Sequence, residues 1–408
     1  MSTIEREIDP AAAGFDPDRL ARLDRRLARF IDDGQLPGWQ VVISRHGKVV
    51  HASCRGERDV ARHLPIEPDT IYRIFSMTKP GTALAAMLLV EQGELLLTDP
   101  ISRWLPEYAN PRIYVGGSDL VPDTVPATEP IRVRHLLTHT AGFAYAFLRA
   151  NPVAMMYRNA GLDEFTSKLG TLAEMSEQWG SMPLVFEPGT QWQYSIASDV
   201  LGRLIEVVSG SPLDAFFDKH ILGPLGMADT AFRVPEGKRD RLAELYLATP
   251  AGFTPATGIG EAILTDRWLS GGAGLVSTAH DFRRFSQLLL RDGELDGVRL
   301  LAPATARLMH ANQLPGGGDL ASVGRPVYAE FPMQGMGFGL SLAPMLDVAA
   351  SGMAGSVGDY GWGGFASTVF VVDPALDLTY EFYTQLMPSS ALPIRPLLRQ
   401  LIHQAIVA

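Results

Sequence analysis

Ser76 and Lys79 are the residues of this sequence whose types and spacing best suit nucleophilic catalysis. The apolar run 81–90 that follows them predicts a helix, and Pro80 is tolerated in its first turn because that N–H has no helical partner. Ser76 and Lys79 then lie one turn apart on the same face. Because the amino end of a helix is already positive, a cation there is unfavourable, which favours the neutral amine that a general base requires. Ser-x-x-Lys occurs once in the chain, yet a helix-capping serine followed by a surface lysine explains these two residues equally well.

Two further segments carry groups that could meet such a pair. Tyr194 follows a turn and precedes a helical pattern, so its phenol could project into a cleft, although a packed tyrosine is the commoner explanation. The segment 360–365 (YGWGGF) stands directly before a predicted strand. Its glycines would let another group approach the backbone, whose N–H groups could face an oxyanion. An edge-strand bulge explains the same glycines, so the residues alone leave both interpretations open.

Other catalytic and metal-binding arrangements fit the sequence less well. Ser356 stands in Ala-Gly-Ser-Val-Gly, which lacks the first glycine of a nucleophile elbow and has no helical pattern after it, so a loop is predicted there. His135 and His139 have the spacing of a helical chelate, but no glutamate adjoins His135 and no cluster offers a third ligand. Both are predicted to be structural. No phosphate loop or dinucleotide fingerprint is present, and we predict neither a metal nor a cofactor.

Helices and strands are predicted at both ends of the chain. An amphipathic helix over 17–33 precedes hairpin strands at 39–44 and 48–52. Strands at 367–372 and 378–383 precede a last amphipathic helix, with apolar residues from Ile394 to Ile406. These elements predict one antiparallel sheet covered by helices.

The middle of the chain has mostly helical patterns, from residue 82 to about residue 225. The stretches 110–130 and 314–331 are predicted to be long surface loops, which serve either as binding walls or as simple insertions. We therefore predict a helical insert between two sheet-forming ends.

Length and composition are those of an ordinary globular protein. The 408 residues are 46% hydrophobic and 20% charged, which excludes a disordered chain. A formal net charge of −10 argues against sequence-independent nucleic-acid binding. A single cysteine, Cys54, permits no internal disulfide, and neither a signal-peptide core nor a membrane-length apolar run is visible. We expect a cytoplasmic protein without nucleic-acid, membrane or protein partners.

Five short motifs occur in an order that resembles the serine β-lactamase and penicillin-binding-protein superfamily. They are Ser-x-x-Lys at 76–79, His-Leu-Leu-Thr-His-Thr-Ala-Gly at 135–142, Tyr-Ser at 194–195, Gly-Gly-Ala-Gly-Leu at 271–275 and Trp-Gly-Gly at 362–364. Within that superfamily the chain is most similar to the family VIII carboxylesterases. The resemblance runs from about Asp16 to the final helix.

This resemblance implies a fold of the α+β class (an α/β sandwich). An antiparallel sheet from both chain ends would be flanked by helices, with an all-helical domain inserted. The implied division is 1–81 and 226–408 for the domain that holds the sheet, and 82–225 for the mainly helical insert. The active site would lie between them.

The resemblance also implies roles for individual residues. Ser76 would be the nucleophile, Lys79 and Tyr194 would share the base and acid roles, and the backbone N–H groups of Ser76 and Phe365 would form the oxyanion hole. The residues predicted to form the substrate pocket are Trp362, Gly363, Gly364 and Tyr145. Phe147 and Tyr157, like Tyr145, could line an acyl pocket or pack in the core.

Two departures from the superfamily pattern bear on the substrate. Where β-lactamases and peptidases usually have Lys or His followed by Thr-Gly, this chain has Trp362, and an indole cannot bind a carboxylate as an ammonium does. Two residues after the tyrosine, where those enzymes commonly have Asn, this chain has Ile196. Both changes favour neutral, apolar acyl groups. For Asp199, helix capping or a buried pair is the predicted role.

The sequence therefore predicts a serine carboxylesterase that hydrolyses small carboxylic esters through an acyl-serine, with weak or no β-lactamase activity. An acyltransferase or a D-amino-acid peptidase or amidase could use the same site. A non-catalytic ligand-binding protein of the same fold is a further alternative. A small-molecule ester is the expected partner.

Overall fold

The central sheet combines strands from both ends of the chain. The computed structural model describes residues 4–149, 151–163, 170–259, 268–325 and 333–408. The strands are β1 Gly38–Arg45, β2 Lys48–Asp59, β3 Leu64–Pro65, β4 Tyr72–Arg73, β5 Arg112–Gly117, β6 Pro122–Pro126, β7 Tyr246–Thr249, β8 Gly252–Pro255, β9 Val276–Ser277, β10 Glu294–Leu295, β11 Val298–Arg299, β12 Ala343–Pro344, β13 Tyr360–Gly363, β14 Val369–Asp373, β15 Leu378–Tyr383 and β16 Leu386–Met387.

Helices occur near both ends of the chain and in the segment between them. They are α1 Pro17–Asp32, α2 Lys79–Glu91, α3 Val133–Leu137, α4 Pro152–Asn159, α5 Leu172–Gly180, α6 Ala197–Ser209, α7 Leu213–Phe217, α8 Ala279–Leu290, α9 Pro303–His310, α10 Leu320–Val323, α11 Val348–Ser351 and α12 Ile394–His403.

Strand order in the main sheet is β12-β13-β14-β15-β1-β2-β3, and its neighbours pair in antiparallel fashion. The two ends of the chain meet at its centre, where β1 pairs with β15 and Gln40 lies opposite Tyr383. The predicted sheet from both chain ends is therefore confirmed, and the fold is α+β.

The two faces of this sheet are covered by different parts of the chain. On one face α1 and α12 pack over β1 and β14, with Leu23 and Leu398 in a common cluster. On the other face α2 and α8 belong to a larger cluster that continues into the helices between α2 and α7. The predicted first helix is present and ends one residue early, at Asp32, and the side chain of Asp16 caps it by accepting from the Arg19 N–H.

One prediction for the middle of the chain is wrong. The stretch 110–130, expected to be a surface loop, contains the β5–β6 hairpin, so the inserted segment is not purely helical. Alternating apolar residues such as Ile113 and Val115 form the strands, and the glycines at 116–117 and the prolines at 122 and 126 fall at their ends. The second stretch, 314–331, contains α10, and its residues 326–331 lie outside the described residues. The domain boundaries at 81/82 and 225/226 stay predictions.

Within the described residues, none of the helices is both long enough and apolar enough to cross a membrane.

Candidate active site

Ser76 lies in a single turn of 3-10 helix, Phe75–Thr78, which leads directly into α2. Phe75 has a φ of 44°, a left-handed conformation that is uncommon for a bulky residue and costs on the order of 1–3 kcal/mol. Such strain is typical of functional sites. Ser76 is partly exposed, whereas Lys79 is 1% exposed because α2 is buried on nearly all sides.

The predicted contact between these two residues is present. Lys79 Nζ donates to Ser76 Oγ at 3.0 Å and to the backbone oxygen of Gly272 at 2.8 Å. A buried amine with two acceptors is held in one orientation, with its nitrogen against the hydroxyl.

The backbone of Gly272 is itself held through its N–H by Asp199, a residue of α6 that is 1% exposed. Asp199 Oδ1 accepts from Ser270 Oγ at 2.5 Å and from the Gly272 N–H at 3.1 Å. Burial raises the pKa of Asp199, and the hydrogen bond from Ser270 and the charge of Lys79 oppose that rise. Asp199 is thus a buried hydrogen-bond acceptor that orders the backbone next to Lys79, a contact that sequence reasoning did not find.

Tyr194 lies over the same lysine. Its ring centroid is 4.6 Å from Lys79 Nζ, and its hydroxyl accepts a hydrogen bond from Trp362 Nε1 at 3.3 Å. The ring of Tyr145 is 5.5 Å from the same nitrogen and 5.4 Å from the ring of Tyr194. The structure therefore brings Ser76, Lys79, Tyr194 and Trp362 together from distant parts of the sequence.

His139 is a further neighbour, fully buried behind Tyr194 with the two ring centroids 5.0 Å apart. Its Nδ1 lies 3.3 Å from Ser195 Oγ. Burial, and secondly the nearby charge of Lys79, lower the pKa of His139 well below its ordinary value. Burial also lowers the pKa of His135 to about 4. Both rings are therefore neutral at pH 7.

The glycines after Trp362 let the backbone pass close to the serine turn. A Cβ on Gly364 would overlap the carbonyl oxygen of Ile74, two residues before Ser76. The backbone then turns sharply, since the Gly364 N–H donates to Thr368 O at 2.8 Å and Ser367 has a φ of 68°. Phe365 lies inside this turn.

A largely apolar cleft opens over Ser76. The predicted pocket residues Tyr145, Trp362, Gly363 and Gly364 all line it, as does Phe365. Sequence reasoning missed several aromatic and aliphatic wall residues, among them Leu148, Trp192, Trp268, Leu320 and Met336.

The remaining aromatic and apolar candidates divide between wall and core. Phe147 lines the cleft, while Tyr157 is fully buried in the core. Ile196 is also fully buried, and its alkyl side chain carries no amide. Leu320 belongs to α10, which makes part of the second loop a wall of the cleft.

One group of potential metal ligands occurs among the described residues. Oxygens of Asp359 and Asp373 and a ring nitrogen of His403 lie within 4.8 Å of one another. Arg399, however, donates to both oxygens of Asp359 at 2.7 and 2.8 Å, and Ser356 donates to Asp373 at 2.7 Å. A metal ion there would have to bind beside a buried guanidinium, so these residues fit an ion-pair network better than a metal site.

Comparison with known proteins places these features in a family. The sequence matches the family described as Beta-lactamase over residues 23–404. Esterase EstB from Burkholderia gladioli is 33% identical over 395 residues, covering 92% of this chain and 93% of EstB. Lovastatin esterase from Penicillium rubens is 32% identical over 300 residues, covering 72% and 73% of the two chains.

Solved structures agree with this assignment. EstCE1, described as a hydrolase with promiscuous acyltransferase activity, superposes with a TM-score of 0.80 at 30% identity, covering 96% of this chain and 99% of that one. A variant of simvastatin synthase from Aspergillus terreus shares the fold, with a TM-score of 0.78 at 23% identity and coverage of 95% and 96%. The chain is thus a member of the Beta-lactamase family, similar within it to family VIII esterases.

Proposed function

We propose that this protein hydrolyses small, uncharged carboxylic esters through a covalent acyl-serine on Ser76. The observation that carries the proposal is the hydrogen bond from Lys79 Nζ to Ser76 Oγ, at the floor of an apolar cleft and beneath the Tyr194 ring. Similarity to esterases and acyltransferases of the β-lactamase fold supports the same reaction class.

Acylation begins when Ser76 Oγ attacks the ester carbonyl and its proton passes to Lys79 Nζ. The carbonyl electron pair moves to the oxygen, which the N–H groups of Ser76 and Phe365 stabilise. When the intermediate collapses, the alkoxide leaves and takes a proton delivered by the Lys79–Tyr194 pair. A water molecule then attacks the acyl-serine and gives a proton to the same pair. The pair returns a proton to Ser76 Oγ as its bond to the acyl carbon breaks, and the carboxylic acid leaves.

Trp362 supports the preference for neutral esters. Its indole stands in the wall of the cleft and donates to Tyr194, so residue 362 itself offers no cation to a substrate carboxylate. Anionic β-lactams would lose that contact, and a well-placed charged hydrogen bond is worth about 1.5–3 kcal/mol. Hydrolysis of nitrocefin should therefore proceed with a kcat/KM at least about 10-fold below that for p-nitrophenyl butyrate. Comparable values on the two substrates would contradict this part of the proposal.

Transfer of the acyl group to an alcohol is the second candidate. It is favoured by the apolar walls of the cleft and by the similarity to EstCE1. Adding a competing alcohol during ester turnover distinguishes the two, because a transferase yields a new ester in proportion to the alcohol whereas a strict hydrolase yields only the acid.

Replacing Ser76 by alanine tests the central claim. We expect Ser76→Ala to lower p-nitrophenyl butyrate turnover by at least about 10³-fold with an unchanged circular dichroism spectrum, and to abolish labelling by a fluorophosphonate probe. Ser356→Ala is the matched control, because Ser356 stands in the other nucleophile-like motif, and it should retain turnover within about twofold. Full activity in Ser76→Ala, or loss of labelling in Ser356→Ala, would refute the assignment.

A further inference from the structure

The loop 364–368 joins β13 to β14 and carries Phe365, whose backbone N–H belongs to the proposed oxyanion hole. Internally it is closed by two hydrogen bonds, from the Gly364 N–H to Thr368 O at 2.8 Å and from the Ser367 N–H to Gly364 O at 3.1 Å. Such a short turn needs external support if one of its N–H groups is to stay aimed at a developing charge.

Arg395 supplies a contact of that kind from α12, the last helix of the chain. Its Nη2 donates to Gly364 O at 2.9 Å and to Thr368 O at 3.1 Å. One guanidinium nitrogen therefore bridges the first and the last residue of the loop. The same two carbonyls close the loop from within, so the guanidinium and the turn support the same geometry.

Gly363 makes room for this contact. A Cβ at Gly363 would overlap the Nη2 and Cζ atoms of Arg395, because the guanidinium lies directly against the glycine backbone. The Trp-Gly-Gly segment thus has three separate tasks. Trp362 forms the wall, Gly363 admits the guanidinium, and Gly364 lets the loop approach Ile74 beside the serine turn.

We propose that Arg395 is a positioning residue that holds the 364–368 loop, and with it the Phe365 N–H, in the arrangement that stabilises the oxyanion. This inference rests on the proposed function of Ser76. It makes α12 part of the catalytic apparatus, although its residues lie about 320 positions from Ser76 and none of its side chains takes part in the chemistry itself.

Preorganisation is the physical basis of the effect. A donor contributes most when it already points at the place where charge develops, and loss of a single oxyanion donor lowers kcat by about 10²–10³-fold. A loosened donor retains part of its effect. We therefore expect loss of the Arg395 contact to lower kcat about 10- to 100-fold, with KM changed less than about threefold, because the substrate's apolar contacts are untouched.

Two single variants and their combination test the proposal. Arg395→Met removes the donor and keeps the length of the side chain. Gly363→Ala leaves Arg395 in the chain, but its methyl group displaces the flexible guanidinium from the loop. If both act by breaking one contact, each lowers kcat about 10- to 100-fold, and the double variant is no worse than the more damaged single variant. Arg395→Lys, which keeps one cationic donor, should recover part of the loss.

The readouts separate positioning from simple loss of structure. Fluorophosphonate titration counts the competent sites, and every kcat is expressed per titrated site. A trifluoromethyl ketone, whose adduct with Ser76 carries an oxyanion, should bind more weakly by the same factor by which kcat/KM falls. Gly363→Ala keeps the test available if Arg395→Met does not fold.

Three results would overturn the inference. They are a per-site kcat of Arg395→Met or Gly363→Ala within twofold of the parent, additive losses in the double variant, and a loss confined to the number of titratable sites. Failure of the proposed function looks different, because Ser76→Ala would then retain turnover and the fluorophosphonate would not label Ser76 in the parent or in any Arg395 or Gly363 variant.

Discussion

Two buried ionisable side chains, Lys79 beside Ser76 and Glu381 in β15, show how a side chain that contacts the cleft differs from one that does not. Both are almost inaccessible, at 1% and 0% exposure. Lys79 has two hydrogen-bond acceptors, one of them the partly exposed Ser76 hydroxyl. The oxygens of Glu381, by contrast, make no hydrogen bond of ordinary geometry within the described residues.

Burial by itself therefore does not identify chemistry. Lys79 is buried but connected to the cleft through Ser76. Its second partner is the backbone oxygen of Gly272, a residue whose N–H donates to Asp199. Glu381 lies in the middle of the sheet, where burial raises its pKa to about 7, with Ser286 and Arg283 opposing that rise. In the proposed mechanism Lys79 exchanges a proton at the cleft, whereas Glu381, which does not line the cleft, is expected to affect stability.

The largest expected effect follows from replacing Lys79. Lys79→Met keeps the volume of the side chain and removes the group that takes the Ser76 proton, so kcat for p-nitrophenyl butyrate should fall by at least about 10³-fold. The melting temperature should be unchanged or higher, because a buried amine is replaced by an apolar chain. Steady-state kinetics with a thermal melt measures both, and a kcat above a tenth of the parent value would contradict the role given to Lys79.

A smaller effect is expected from the two tryptophans that flank Tyr194. Trp362 Nε1 donates to the Tyr194 hydroxyl at 3.3 Å, whereas Trp192 stacks on the same ring at 6.2 Å and its Nε1 has no hydrogen-bond partner within the described residues. Trp362→Phe should lower kcat about 5- to 10-fold, because a hydrogen bond worth about 1 kcal/mol is lost.

Trp192→Phe is the matched control for that experiment. It removes the same volume from a second ring that packs on Tyr194, while the hydrogen bond from Trp362 remains. We expect its kcat within about twofold of the parent. Equal losses in the two variants would mean that ring packing, rather than the indole N–H, accounts for the effect.

Whether a contact of the site could be predicted depends on how far apart its two residues lie in the sequence. The Ser76–Lys79 contact is a matter of helical spacing, so residue types alone suggest it. Tyr194 and Trp362 needed the family resemblance, because no local rule brings segments more than 100 residues apart to one cleft. The Asp199–Gly272 and Arg395–Gly364 contacts involve backbone atoms of distant segments, and backbone atoms leave no signature in residue type.

The elements of the fold were predicted correctly where the hydrophobic periodicity is strong. The prediction failed where the periodic segment is short. The helix α1 and the hairpin β1–β2 have clear apolar patterns, and the structure has them within a residue or two at most ends. The β5–β6 hairpin has glycine and proline at the ends of its strands, and these residues are typical of loops, so composition predicted a loop there. Pairing with a neighbouring strand, which composition does not reveal, makes that segment a hairpin.

Glu381 gives the prediction with the smallest effect on activity. Its pKa is about 7 in the folded protein against 4.5 as the ordinary value, so the folded state binds the proton more tightly than the unfolded state. Stability should therefore fall as pH rises from 4.5 to 7, by about 3 kcal/mol in all, and level off above pH 7.

Glu381→Gln carries no titrating proton and should lack this fall, so its advantage over the parent in urea unfolding grows across the same window. Its kcat at pH 7 should stay within twofold of the parent. If the stability of the two proteins changes with pH in the same way, Glu381 keeps a partner for its charge. If Glu381→Gln loses activity, the contrast drawn here between Lys79 and Glu381 is wrong.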